Sequence, residues 1–263
     1  MWFVIATLAY GAEPSNKRVL LLGQKPDGHP PGTHEYVAGM KIVAALLAKQ
    51  PGIATTLESA DEPWNDGPQK LREADGAVVF LSQGAVWLSA DPRRLDAFAS
   101  LAARKGGLVV IHWGMGTKAV EPIQPWLQLF GGCHGGPDRR FKVIDATLEP
   151  VAPPHVITRG VSPLPVHEEF YYALKFVKSS TPIEPVLQVE IEGRRETVAW
   201  AWTRPDGGRS FGFSGLHFHD NWRHESYRRL ITHGVLWSLG REIPVGGADV
   251  AIDTQLLKLA ESK

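Results

Sequence analysis

The chain has 263 residues, enough to bury one sizeable core and compatible with one or two domains. Its 28 Lys plus Arg balance 28 Asp plus Glu, so the formal net charge is zero, and no basic run occurs. That excludes the electrostatic footprint of a nucleic-acid partner or of an anionic membrane surface. The single cysteine, Cys133, excludes an intrachain disulfide and a cysteine-based zinc cluster.

Residues 2–10 form a short apolar run with small Ala9 and Gly11 placed for cleavage before Ala12. The run resembles the apolar part of a secretory signal without its basic leader. Residues 1–16 are therefore expected to be a truncated signal segment and linker, and the protein to be exported or periplasmic. The alternative is an ordinary first strand in a cytoplasmic protein. No other run is long enough to span a bilayer.

Residues 18–23, apolar from Val19 onward, close on Gly23, as in a strand buried on both faces. A loop rich in Gly, Pro and His follows. Residues 35–49 then place Val37, Met40, Ile42, Val43, Leu46 and Leu47 at helical spacing until Pro51-Gly52 stops them. A second strand is expected over 53–57, a short helix over 68–74 and a third strand over 76–81. Asp91-Pro92 supplies a cap and first residue for a helix over 91–105, and 108–111 is another all-apolar strand. Strands alternating with helices indicate a doubly wound, mainly parallel sheet.

From Phe141 the texture changes. Residues 142–147, 173–177, 185–191 and 196–202 read as shorter, half-buried strands with hairpin-like turns, an antiparallel elaboration in the C-terminal half. Arg204-Pro205-Asp206-Gly207-Gly208 is a turn into a glycine-punctuated strand from Ser210. Residues 227–239 form a closing helix with Leu230, Ile231, Val235, Leu236 and Trp237 as its buried stripe. Residues 17–244 are expected to be one domain and 245–263 a tail.

Sheets of this kind bind ligands beyond the carboxyl ends of their strands, which directs attention to residues 24–35, 82–87, 112–117 and 217–222. His217 and His219 stand two apart, so a continuing strand would aim both imidazoles one way, toward a metal ion or a sugar-like ligand; two hydrogen-bonded loop histidines are the alternative. His112 follows Val109-Val110-Ile111 and precedes Trp113-Gly114-Met115-Gly116, a strand-to-glycine turn that exposes a side chain above the sheet. Elbows that act covalently carry Ser or Cys there. A histidine points instead to coordination or acid–base work, with capping of the next helix as the alternative. His134 lies in a glycine-rich loop, and His34 and Glu35 begin the first helix. His167, Glu168 and Glu169 abut Phe170-Tyr171-Tyr172, where an acid aimed into a pocket competes with an edge-strand solubility device. His29 and His155 read as solvated loop residues, His224 and His233 as structural, and Cys133 as a packing residue. Several histidines and a carboxylate at one edge fit a first-row divalent metal, zinc first, or metal-free acid–base catalysis, and no spacing-defined motif such as HExxH occurs.

Several stretches, in this order and spacing, resemble the ThuA-like (trehalose utilisation) family. They are Gly106-Gly107-Leu108-Val109-Val110-Ile111-His112, Phe130-Gly131-Gly132-Cys133-His134, His155-Val156-Ile157 and Glu168-Glu169-Phe170-Tyr171. Val198-Ala199-Trp200, Gly208-Arg209-Ser210-Phe211 leading to Gly215-Leu216-His217, and Gly234-Val235-Leu236-Trp237 continue the match. That family is a branch of the glutamine-amidotransferase-like, flavodoxin-type α/β fold. The resemblance implies that His112 occupies the place of a nucleophilic cysteine, so amidotransferase chemistry is lost, and that Glu169 takes the functional acid slot, with Glu168 a mild departure. It also implies action on carbohydrates, with keto-sugar derivatives of disaccharides as suspected substrates and a bound divalent metal.

The expected metal ligands are His112, His217, His219 and Glu169. Glu169, His112 and His134 are the expected catalytic groups. His34, Glu35, Trp113, Asp220 and Trp222 are the expected substrate-binding residues, the two tryptophans by stacking on sugar. The leading expectation is a metal-assisted enzyme acting on a keto-glycoside or related disaccharide by hydrolysis, elimination or isomerisation. A non-catalytic carbohydrate-binding module and a metal-dependent ester or amide hydrolase are the alternatives. The partner is a small-molecule carbohydrate, and a homo-oligomer is left open.

Overall fold

A computed structural model describes residues 16–259, so the apolar run at residues 2–10 and the export reading it carries lie outside the described residues. The first half runs β1 (Lys17–Gly23), α1 (Tyr36–Leu47), β2 (Ile53–Ser59), α2 (Gly67–Glu73), β3 (Gly76–Val79), α3 (Gly84–Ser89), α4 (Pro92–Ala103) and β4 (Gly107–Ile111). Then come β5 (Gly116–Thr117), α5 (Ile123–Phe130), β6 (Gly132–Gly135), β7 (Arg140–Pro150), β8 (Leu164–Tyr172) and β9 (Lys175–Phe176). The last elements are β10 (Ile183–Ile191), β11 (Arg194–Thr203), β12 (Arg209–Phe213) and α6 (Glu225–Ser238).

Nine strands form one sheet in the order β2-β1-β3-β4-β12-β11-β10-β7-β8, and β5-β6-β9 form a small second sheet. The five strands from β2 to β12 run parallel, and each later neighbour is antiparallel. The continuous apolar runs explain the parallel half, because alternate side chains must be buried on opposite faces. Val19, Leu21, Val78, Val109 and Ile111 pack with α1 and α6. Leu20, Leu22, Val79, Leu108 and Val110 pack with α2, α3, α4 and α5 on the other face. Asp91 caps α4 as its sequence indicates, its carboxylate accepting from the Arg93 amide at 2.9 Å.

Three differences from the sequence reading have local causes. The short helix α3 is apolar and mostly buried, so it carries no polar–apolar period to read. Helix α5 holds Pro125 in its first turn, where a missing amide costs nothing. The strand expected over 173–177 shrinks to β9 in the small sheet, whereas β8 extends through His167, Glu168 and Glu169 and keeps them inside the strand. The segment after Pro244 is tied down, with Ala248 and Val250 buried in the core shared by α1 and α6. No helix among the described residues is long and apolar enough to cross a membrane.

The β7–β8 hairpin joins the main sheet only where Leu187 and Gln188 of β10 meet Pro150 and Glu149. Anchored at one end, it brings the other end of β8 over the carboxyl edge of the parallel strands, where Tyr171 meets His112. At that edge, backbones approach so closely that a Cβ on Gly84 would lie 2.0 Å from the Gly114 carbonyl oxygen. Gly84→Ala should therefore cost about 3 kcal/mol through overpacking and lower Tm by roughly 6–12 °C. An unchanged melting curve would show that this contact is not tight.

Candidate functional site: a histidine–carboxylate cluster

The last pairing of β4 with β12 sets Ile111 beside Phe213, so His112 and Ser214 are neighbours as both strands end. His112 turns sharply, at φ 46°, and its Nδ1 lies 2.7 Å from the Ser214 carbonyl oxygen. A carbonyl only accepts, so Nδ1 carries the proton and Nε2 presents a bare lone pair. His34, at φ 53°, repeats the device: its Nδ1 lies 3.1 Å from Asp27 Oδ2, which also accepts from the Tyr36 hydroxyl at 2.6 Å. Its Nε2 is thus bare as well, and it sits 3.1 Å from His112 Nε2.

His217 Nδ1 lies 3.2 Å and the Tyr171 hydroxyl 3.0 Å from the same His112 nitrogen. Glu169 Oε1 stands slightly farther out, 3.7 Å from His112 and 3.5 Å from His217. His34, His112, His217 and Glu169 together offer four ligand atoms within 4.8 Å of one another. Three imidazoles and a carboxylate are a donor set suited to a first-row divalent ion, and the Nδ1 partners supply the outer support such ligands need.

The loop carrying His217 is organised by Glu168. This carboxylate is fully buried and accepts from the amides of Leu216 at 2.8 Å, His217 at 3.1 Å, Phe218 at 3.4 Å and Glu169 at 2.9 Å. Asn221 Nδ2 at 2.9 Å and the Tyr227 hydroxyl at 3.3 Å complete the shell. The His34 amide donates to the His217 carbonyl at 3.1 Å, which ties the first loop to the last. Neighbours on a strand face opposite ways, so Glu168 braces the loop while Glu169 faces the imidazoles.

Burial pushes both carboxyls up to about 7, and for Glu168 the Asn221 and backbone hydrogen bonds pull back. Burial lowers His112 well below its ordinary range and His217 to about 3, with neighbouring imidazoles adding to each. Burial likewise lowers His34, against the raising effect of Asp27. The imidazoles are therefore neutral near pH 7, the form that coordinates metal. Burial alone would raise Asp27, but hydrogen bonds from His34, Tyr36 and His29 outweigh it and hold that carboxyl well below its usual range.

A cavity of about 200 Å³ opens in front of the cluster and is bordered by His34, Trp113, His134, Glu169 and Tyr171. His134 stacks on Tyr171 at 3.9 Å between ring centroids, and Trp113 meets the same ring edge-on at 5.7 Å.

Four expected residues go elsewhere. His219 does not join His217, because β12 ends at Phe213 and Leu216 turns at φ 74°, which breaks the strand alternation; its ring nitrogens are buried without hydrogen-bond partners. Trp222 is not a stacking surface: it is 1% exposed and packs in the core. Asp220 is paired with Arg223 at 3.3 Å, away from the four ligand atoms. Glu35 accepts from the Gly32 amide at 2.9 Å, bracing the loop instead of entering the cluster. Cys133 is buried, which pushes its thiol up to about 12, as befits a packing residue.

Asp27, Tyr36, Tyr171 and Ser214 were not among the expected site residues, and the bracing role of Glu168 was not anticipated. Tyr171 had a signal, since it stands two residues after Glu169 on a strand and shares its face. His29, read as solvated, has a half-exposed ring yet stacks on His34 at 3.7 Å and bonds Asp27 at 2.6 Å.

Fold and site together define a doubly wound α/β protein with a metal-competent pocket at the carboxyl edge of its sheet. The family described as ThuA, trehalose utilisation, matches residues 18–238, and the chain belongs to it. Among solved structures it is similar to a putative ThuA-like protein from Bacteroides uniformis ATCC 8492, at 13% identity and TM-score 0.61, over 89% of this chain and 95% of that one. It is also similar to PurLQS from Thermotoga maritima, at 15% identity and TM-score 0.45, over 85% of this chain and 97% of the other. The glutaminase domain of Trypanosoma brucei CTPS with bound acivicin matches at 11% identity and TM-score 0.46, over 89% and 99%. No curated protein matches the chain.

Glu168→Gln should test the brace. An amide turns an N–H toward groups that donate to the carboxylate, backbone amides among them, so a loss of about 3 kcal/mol is expected, read as a Tm fall of roughly 6–12 °C. A variant as stable as wild type would mean the loop is held by other contacts.

Proposed function

We propose that the cluster holds a divalent metal, zinc in the first instance, and that the protein is a metal-assisted enzyme acting on a keto-glycoside or related disaccharide. Family membership suggests a carbohydrate-related function. The observation that carries the metal is the pair of bare Nε2 lone pairs of His34 and His112 facing each other at 3.1 Å. Two acceptor nitrogens that close repel, the Tyr171 hydroxyl can satisfy only the one on His112, and a bound cation would give both lone pairs a partner.

His34, His112 and His217 would hold the ion as neutral imidazoles. When bound, a divalent ion polarises a substrate carbonyl oxygen and acidifies the adjacent C–H. Glu169 stands outside the tightest nitrogen contacts and borders the cavity, so it is placed to take that proton. Burial, which puts its pKa at about 7, matches a base working near neutrality. Burial keeps the Tyr171 phenol protonated, so its hydroxyl can donate to a developing oxyanion. Trp113 offers a ring edge of the cavity for the sugar. With the C–H proton on Glu169, the enolate's electron pair would form a C=C bond and expel the glycosidic oxygen from the β-carbon. That oxygen would take the proton back from Glu169, which is elimination. Return of the proton to the former carbonyl carbon, with the adjacent hydroxyl proton passing to the former carbonyl oxygen, would be isomerisation.

Two outcomes are expected. Wild-type protein dialysed against zinc and then metal-free buffer should retain about one zinc per chain, and His112→Ala should retain almost none by mass spectrometry; stoichiometric retention by the variant excludes His112 as an essential ligand. Glu169→Gln should lower turnover of keto-disaccharides by about 10²–10⁴-fold while zinc stays bound. Full activity in that variant would remove Glu169 from the proton transfer.

A further inference from the structure

The cavity in front of the cluster has a cationic side. Lys118, just beyond β5, and Arg139, in the turn between β6 and β7, both line it, together with Trp113, His134 and Phe141. The carboxylate next to Arg139 in sequence, Asp138, is taken by Lys175 at 2.7 Å, and Lys175 also donates to the Gly135 carbonyl at 2.7 Å. Arg139 itself bonds only the Gly136 carbonyl, through Nη1 at 3.1 Å, so most of its five donors are uncommitted. Among the described residues, no ion pair joins Lys118 or Arg139 to a carboxylate, while Lys175 beside them has one.

The two acids near this space are committed elsewhere. Asp27 is shared by His29, His34 and Tyr36, and Glu169 faces His112 and His217. A second polar group also awaits a partner: His134 is 2% exposed, lines the cavity, and has a buried Nδ1 with no hydrogen bond. Phe141, on the same wall, is 56% exposed, an apolar ring left beside two cations. At about 200 Å³ the space is smaller than the roughly 300–1,000 Å³ of drug-sized pockets, so it suits one sugar ring more than two.

We propose that the ring bound in this cavity carries an oxyanionic substituent, a carboxylate or phosphate, gripped by Lys118 and Arg139 while its oxidised carbon faces the histidine cluster. This rests on the reading of the site given above and narrows its substrate to an anionic sugar derivative. Arg139 supplies a planar fork that matches carboxylate or phosphate oxygens, and Lys118 adds a point charge. Phe141 and Trp113 then flank the apolar faces of the ring. The charges also balance. A divalent ion offsets Asp27 and Glu169, leaving Lys118 and Arg139 for the ligand.

The test is calorimetric titration of zinc-loaded wild type, Lys118→Ala, Arg139→Ala and the double variant with glucuronate, glucose 6-phosphate and glucose. Wild type should bind one of the anions at least about tenfold more tightly than glucose, and Arg139→Ala should lose about tenfold for that anion with glucose unchanged. Glucuronate in the lead identifies a carboxylate, glucose 6-phosphate a phosphate. The anion preference should weaken at high salt, and melting curves of the variants should match wild type, since both side chains lie at the cavity surface. Glucose binding as tightly as either anion, a preference that survives in the double variant, or no binding of any of the three overturns the proposal. Zinc retained without anion preference sinks the subsite alone. Anion preference in a protein that does not retain zinc sinks the metal reading alone.

Discussion

Two imidazole nitrogens whose protons are committed elsewhere face each other at 3.1 Å, and this constraint organises the whole carboxyl edge of the sheet. His112 cannot turn its proton inward, because its Nδ1–H is held by the Ser214 carbonyl at 2.7 Å. His34 cannot either, because Asp27 takes its Nδ1–H and is itself fixed by the Tyr36 hydroxyl. Rotating either ring would break a buried hydrogen bond and strand a polar atom, at a cost of about 1–3 kcal/mol. The lone pairs are therefore a built feature, and each of their supports comes from a different segment of the chain.

The fold meets this cost with backbone strain and one buried carboxylate. His34, His112 and Leu216 all adopt left-handed φ without being glycine, on the order of 1–3 kcal/mol each. Such conformations persist only where surroundings over-determine them. Here the parallel pairing of β4 with β12 fixes His112, and Glu168 gathers the amides of residues 216–218. Glu168 and Glu169 divide the labour of one strand. A one-residue slip of β8 would exchange them, putting the brace in the cavity and the acid in the core.

The parallel half was legible because both-face burial leaves an unmistakable apolar run, as in residues 19–22 and 108–111, and the carboxyl-edge rule then pointed to the loops that carry His34, His112 and His217. Trp113 was reached the same way, whereas His134 was picked out by its glycine-rich loop and Glu169 by the aromatic strand beside it and the family resemblance. His219 was misplaced because strand alternation was extended past Phe213, and nothing local announces that Leu216 takes a left-handed turn. Trp222 was misplaced because a tryptophan among polar loop residues reads as exposed, while its ring turns into the core. Asp27 and Ser214 were invisible for a different reason. Their contribution is a carboxylate and a backbone carbonyl aimed at a ring far away in sequence, and only the folded chain makes that pairing.

Which species suits the two facing nitrogens depends on what each candidate would have to overcome. A proton could bridge them, yet burial already holds His112 well below its ordinary range, and His34 and His217 lower it further. Adding one positive charge there means desolvating it with a single new hydrogen bond in return. The proposed divalent ion would also be desolvated, but three imidazole nitrogens would hold it at once, and the carboxylates of Glu169 and the nearby Asp27 would offset its charge. The Tyr171 hydroxyl, 3.0 Å from His112 Nε2 and kept protonated by burial, sharpens the contrast. Without an ion it can donate to that nitrogen and relieve one lone pair. With the nitrogen engaged it must turn its hydrogen elsewhere, and the cavity beside it is where a substrate oxygen would lie.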